Sequence, residues 1–123
     1  MLVDLQSGNF DVNVMSEGIA IIDCWAPWCG ACKDYTPTFE AAAERHPKHT
    51  FAKLNTQSEE ELTKNLKVSH IPTTILFRDG LLLLRRPGYL SESEIDEVIG
   101  TAEGLDMEQV RADMEKRMAG ESG

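Results

Sequence analysis

The stretch Ile19-Ala20-Ile21-Ile22-Asp23-Cys24-Trp25 constrains the fold more than any other, because both of its faces are apolar. Side chains alternate across a strand, so Ile19, Ile21, Asp23 and Trp25 share one face and Ala20, Ile22 and Cys24 the other. Such a strand belongs inside a sheet covered on both sides, which predicts an α/β architecture with this strand central.

Just beyond it, Trp28-Cys29-Gly30-Ala31-Cys32-Lys33 opens a helical pattern. A Cys-x-x-Cys pair across the first turn of a helix brings two sulfurs within disulfide reach in a tight ring. Cys29 would sit among unpaired backbone N–H groups at the positive end of the helix dipole, which favours its thiolate. Cys32, one turn further in, would be more buried and keep its proton longer. The pair reads as a dithiol redox centre in which Cys29 attacks and Cys32 resolves. The same spacing supplies half of many zinc sites, but further ligands are hard to find. Cys24 lies on the strand, and His46 and His49 flank Pro47 at the far end of the helix, so no metal is expected.

Asp23 is the exception in the central strand, since a buried carboxylate is costly unless something uses or compensates it. The strand runs into the cysteine turn, so the carboxyl could reach the neighbourhood of Cys32 from beneath. Desolvation there would raise its pKa toward neutrality and suit it to exchange a proton with the resolving thiol. The alternative is an ordinary strand-end aspartate bonded to backbone or solvent.

With 123 residues and 41% hydrophobic content the chain suits one domain with one core. Its net charge of -9 repels nucleic acid and anionic membrane surfaces, leaving proteins as the expected partners. No apolar run approaches about 18 residues and no basic, apolar leader opens the chain, so the reducing cytoplasm is the expected compartment. There a Cys-x-x-Cys is more often catalytic or metal-binding than structural.

In chain order, Leu2 to Leu5 reads as a short strand, followed by a brief helix capped by Asn9, with Phe10, Val14 and Met15 on one face and Gly18 at its stop. A long helix from about Cys29 to His46 carries Tyr35, Phe39, Ala42 and Ala43 inward, and Pro37 should kink it. Thr50 to Asn55 reads as a strand, and Ser58-Glu59-Glu60-Glu61 as a capping box for a helix carrying Leu62 and Leu66. Ile71-Pro72-Thr73-Thr74 leads into the strand Ile75-Leu76-Phe77, and Asp79-Gly80 turns it into a partner strand, Leu81 to Leu84. Pro87-Gly88 ends the hairpin, and Ser91-Glu92-Ser93-Glu94 caps a helix with Ile95, Val98 and Ile99 inward.

Taken together these residues resemble the thioredoxin family over about Leu2 to Gly100. The resemblance rests on Asp23 and Trp25 ahead of Trp28-Cys29-Gly30-x-Cys32-Lys33, Pro37 in the helix, Lys53 in Ala52-Lys53-Leu54-Asn55, Ile71-Pro72-Thr73 before a strand, and Gly88 after the hairpin. It implies the thioredoxin fold, a central five-stranded mixed sheet flanked by helices. The expected domain spans residues 1–103, an extra C-terminal helix 104–119, and a disordered tail 120–123. It also implies that Cys29 is the nucleophile, Cys32 the resolving thiol, Asp23 the buried proton acceptor and Lys53 the charge beside it. Pro72 would be cis, with the adjoining backbone pairing to an extended substrate segment. Trp28, Gly30, Ala31, Ile71 and Gly88 would shape the rest of the docking surface.

The implied function is reversible reduction of protein disulfides, in the service of electron transport and cell redox homeostasis. An NADPH-dependent thioredoxin reductase would recycle the protein. The chain has no Gly-x-Gly-x-x-Gly fingerprint, so it is expected to bind no dinucleotide or other cofactor itself, and to act as a monomer. The alternative is a binding module of the same fold whose dithiol is incidental.

Ala31 departs from the family, where most members have proline. It lies between the cysteines, where residues tune thiolate stability, so the potential should sit near the reducing end with any shift upward. Asp34-Tyr35 is more polar than usual after the motif and is expected to affect partner choice. His70 either lies on the active-site rim, favouring the Cys29 thiolate, or is a solvent-facing loop residue. Cys24 is expected to be a packed core thiol and Trp25 a packing residue, with His46 and His49 at the surface. Val110, Met114 and Met118 recur every four residues, a stripe that would cover exposed core or dock a partner, with Gly104-Leu105-Asp106 as linker and cap.

Overall fold

A computed structural model describes residues 2–122. Five strands form one sheet: β1 (Leu2–Asp4), β2 (Ile19–Trp25), β3 (Thr50–Asn55), β4 (Thr73–Arg78) and β5 (Leu81–Pro87), in the order β1-β3-β2-β4-β5. β2 is the middle strand, as its two apolar faces require; β1 and β2 run parallel to β3, β4 pairs antiparallel with β2, and β5 pairs antiparallel with β4. The helices are α1 (Phe10–Val14), α2 (Gly30–Arg45), α3 (Glu60–Asn65), α4 (Glu92–Glu103) and α5 (Met107–Ser122). This is the mixed five-stranded sheet expected, with an additional C-terminal helix.

The alternation in β2 divides the core. Ile19 and Ile21 pack with Phe51 and Leu76 under α2 (Tyr35, Phe39, Ala42, Ala43) and α4 (Ile95, Ile99, Ala102). Ala20, Ile22 and Cys24 pack with Leu54, Ile75 and Phe77 against Val14 and Leu66 on the side of α1 and α3. α2 remains helical on both sides of Pro37. Asp79 and Gly80 both take positive φ, 53° and 79°, the pair of left-handed residues that a tight two-residue hairpin needs.

Helix starts depart most from the local sequence signals. At α4 the capping box forms as expected, with the Ser91 and Glu94 side chains each bonding the other's backbone N–H. At α3 it does not. Asn55 Oδ1 takes the N–H groups of Gln57 and Ser58 at 3.0 and 3.2 Å, so an Asn-led turn absorbs the segment and the helix starts after Glu59. Asn9 stands at the N-cap of α1, but its side chain turns back to the Gln6 N–H and the Asp4 carbonyl.

The Arg78 guanidinium donates to the carbonyls of Ala102 and Leu105, closing the C-terminal end of α4. Asp106 Oδ1 accepts from the Glu108 and Gln109 N–H groups and starts α5. Coverage by α5 fades along its length: Met107 is buried, Val110 and Met114 are half-buried, and Met118 is 68% exposed. The tail expected at 120–123 includes Gly123, outside the described residues, and positions whose side chains are not described.

Candidate active site

β2 delivers the site. Its last carbonyl, that of Trp25, accepts both the N–H and the hydroxyl of Thr56, which fixes the strand end beside β3. The chain then turns through Ala26, whose carbonyl takes the Cys29 N–H at 3.1 Å, and Cys29 becomes the N-cap of α2. Cys29 Sγ accepts the Cys32 N–H at 3.1 Å. The cap that is usually an oxygen is here a sulfur, held at one of the unpaired N–H groups of the first turn. The two sulfurs are at disulfide distance, 2.32 Å, with Cα atoms 5.3 Å apart.

Ala26, Cys29 and Cys32 form a small apolar cluster with Trp25 and Ile71 against it. Cys29 retains 7% exposure and Cys32 1%. Trp28 is 71% exposed, and Gly30 and Ala31 lie at the surface beside it. Ile71–Pro72 is a cis peptide, and the Pro72 carbonyl accepts the Gly88 N–H at 2.7 Å. Gly88 has φ 93°, a conformation that favours glycine. The structure therefore joins Ile71, Pro72 and Gly88 in one rim, with Ile71 touching the cysteine cluster.

Asp23 is fully buried, and neither carboxylate oxygen has a hydrogen-bond partner among the described residues. Burial pushes its pKa up to about 6, against a smaller lowering by Lys53. It stands in a row across the sheet, with Lys53 its register partner on β3 and Thr74 on β4. That face carries α2, which reaches down on both sides. Thr36 Oγ1 accepts from Lys53 Nζ at 3.1 Å, and the Tyr35 hydroxyl meets Thr74 Oγ1 at 2.8 Å. Lys53 Nζ also lies 4.7 Å from the centre of the Trp25 ring.

The Thioredoxin family model matches residues 1–101. The chain belongs to the thioredoxin family. It is 38% identical to "Putative thioredoxin 2" of Streptomyces coelicolor over 95% of this chain and 87% of that protein. It is also 34% identical to the thioredoxin of Alicyclobacillus acidocaldarius over 75% of this chain and 89% of that one. Chlamydia pneumoniae thioredoxin matches at 38% over 65% and 78%. With its Cys-x-x-Cys pair at disulfide distance, this thioredoxin-family chain is a thiol–disulfide oxidoreductase of the class that reduces protein disulfides.

Other expected positions resolve by packing. Tyr35 is fully buried, so it belongs to the core and not to a partner surface; burial pushes its hydroxyl up to about 12. Asp34 is exposed and accepts from the Tyr89 hydroxyl. Cys24 is a free, buried thiol on the opposite face from Asp23, and burial raises its pKa, with Asp23 adding to the rise. His70 is exposed, its ring on Ser69 and its carbonyl on Thr73, and no bond joins it to Cys29 among the described residues. His46 and His49 are half-buried, each bonded to a carboxylate of α4, Asp96 and Glu103. No group of three or more His, Cys, Asp or Glu is placed to hold a metal ion among the described residues.

Thr36, Tyr35 and Thr74 join this site without a sequence signal that assigns them to it. The nearest to one is Thr74, which with Thr73 makes the polar start of the strand Thr73–Arg78. Its significance needs the β2–β4 register, which places it opposite Asp23.

Proposed function

We propose that the chain reduces protein disulfides with Cys29 as nucleophile, Cys32 as resolving thiol and Asp23 as proton acceptor. The observation that carries this reading is Cys29 at the N-cap of α2, bonded to the Cys32 N–H and at disulfide distance from the Cys32 sulfur. The N–H groups that Cys29 faces favour its thiolate over its thiol. In the reduced protein that thiolate attacks one sulfur of a target disulfide. An S–S bond to the target forms, the target's own S–S bond breaks, and its second sulfur leaves as a thiolate. Asp23 takes the Cys32 proton, and the Cys32 thiolate attacks Cys29 Sγ. The intramolecular disulfide forms and the target's first sulfur leaves. Two electrons have passed to the target, and its thiolates take up protons.

Docking follows the rim. Trp28 supplies exposed apolar surface, Gly30 and Ala31 allow close approach, and the segment of Ile71 and Pro72 offers backbone to an extended target chain. Gly88 supports that segment through its bond to the Pro72 carbonyl, and Lys53 moderates Asp23. The catalytic domain is residues 1–103, with the C-terminal helix an extension to it. A monomer working in the cytoplasm and recycled by an NADPH-dependent thioredoxin reductase completes the reading. No helix among the described residues is long and apolar enough to cross a membrane.

A coupled assay tests it. With a disulfide-bonded test protein, NADPH and a bacterial thioredoxin reductase, addition of this chain should produce sustained NADPH consumption that Cys29→Ser abolishes. Consumption no faster than that of the reductase and test protein alone would contradict the reductase partnership.

A further inference from the structure

We propose that Thr36 is a positioning residue of the proton relay: its hydroxyl holds the Lys53 ammonium away from Asp23 and so sets how firmly Asp23 keeps its proton. The inference rests on the reading of Asp23 as proton acceptor.

Lys53 and Asp23 are directly paired across parallel strands, so their side chains leave the same face of the sheet. A flexible lysine beside a buried carboxylate with no other partner would ordinarily form an ion pair with it. Here neither Asp23 oxygen has a partner, and Lys53 takes part in no ion pair among the described residues. Its ammonium is on Thr36 Oγ1 and over the Trp25 ring instead.

Thr36 is oriented for this. Its hydroxyl proton goes to the Cys32 carbonyl at 3.1 Å, one turn back on α2, which leaves the oxygen lone pairs for Lys53. One hydroxyl thus ties the lysine to the backbone of the resolving cysteine. Direct pairing with an ammonium lowers a carboxyl by about one to three pH units, which would make Asp23 a poor acceptor for a thiol proton. The remaining groups around Asp23 are the Thr74 hydroxyl, opposite it on β4, the Tyr35 hydroxyl bonded to Thr74, and the neutral Cys24 thiol on the opposite face. Lys53 is the charged group among them.

Without the Thr36 hydroxyl, the ammonium has two destinations. One is the unpartnered carboxylate. The other is an open cavity of about 210 Å³, which Lys53 lines with Trp25, Asn55, Glu59 and Asp4, the last an exposed carboxylate paired with it in register on β1. The buried oxygens gain more from a charged donor than water-exposed ones do, so the ammonium moves to Asp23.

The test is a carbon-13 titration of the Asp23 carboxyl in the oxidised protein, assigned by its absence in Asp23→Asn. Thr36→Val keeps the shape of the side chain and removes the hydroxyl; it should lower the Asp23 midpoint by on the order of one pH unit. Thr36→Ser restores the hydroxyl and should return the midpoint to the wild-type value. An unchanged or raised midpoint in Thr36→Val overturns the proposal. A separate comparison of target reduction against pH keeps the two readings apart. If Asp23→Asn leaves that profile unaltered, the relay itself fails, whatever Thr36 does to the titration.

Discussion

Replacing Cys32 with serine is expected to turn the protein into a covalent trap. Cys29 keeps its place at the N-cap of α2, so the first attack on a target disulfide still occurs. What is lost is the second sulfur, which lies 1% exposed and within bonding distance of Cys29. A serine hydroxyl does not displace a thiolate from a disulfide, so the mixed disulfide accumulates. Turnover should fall by at least about a thousandfold, equivalent to about 4 kcal/mol of barrier. Mass spectrometry of Cys32→Ser mixed with a disulfide-bonded target should show one covalent adduct per chain. Cys29→Ser should show none. Adducts on Cys29→Ser, or wild-type turnover by Cys32→Ser without added thiol, would reverse the assigned roles.

Asp23→Asn carries two expected effects of opposite sign. Loss of a positioned proton acceptor should slow resolution by about 10² to 10⁴-fold near neutral pH, read from the rate at which the mixed disulfide collapses. Stability should move the other way. The folded carboxyl sits at about 6 against an ordinary value of 3.8, so between those values the folded state binds the proton and the unfolded state does not. Wild-type stability contributed by this group is therefore full below about pH 4 and is lost as pH rises through about 6, by about 3 kcal/mol.

Asparagine has no such dependence, so Asp23→Asn should gain on the wild type as pH rises from about 4 to about 7. Comparing the two proteins matters because other carboxyls act in the reverse sense. Asp96 is held below its ordinary value by the hydrogen bonds from His46 and Arg45, and Glu94 by the Ser91 N–H. Both drop out of the difference between wild type and variant. Denaturant unfolding of the oxidised proteins at a series of pH values measures it. A constant difference would mean that Asp23 is not carrying a raised pKa.

Much of this molecule is legible in its sequence. β2 announces its central position through apolar residues at both phases of the alternation, and Asp23 stands out because it breaks that pattern. The Cys29 and Cys32 spacing carries the redox chemistry, and Asp79-Gly80 carries the hairpin. Helix starts are less legible, because Asn9, Asn55 and Ser58 all have side chains that can satisfy several backbone groups, and tertiary context chooses among them. Asn55 outcompetes the Ser58 cap because it sits at the end of β3, where the chain must turn.

The polar surroundings of Asp23 are least legible of all. Tyr35 reads as core by its helical spacing, and it is core, yet its hydroxyl is spent on Thr74. Thr36 carries no signal in the sequence, and the packing of α2 over β3 brings Lys53 to it. These contacts join residues distant in sequence, and only the strand register and the angle of α2 put them together. The stripe of Val110, Met114 and Met118 on α5 is legible as a pattern, but its burial, partial at Val110 and Met114 and low at Met118, depends on where the helix leaves the domain.

The most direct test of the account is the reduction potential of the Cys29–Cys32 pair, measured by equilibrating the protein in thiol buffers and following alkylation of the free cysteines. A reversible two-electron transition near the value known for thioredoxins, about -270 mV and in any case below about -200 mV, is the predicted result. A value above that bound would make the protein an oxidant or isomerase. No reversible transition would contradict the account outright and leave a binding module whose dithiol is incidental.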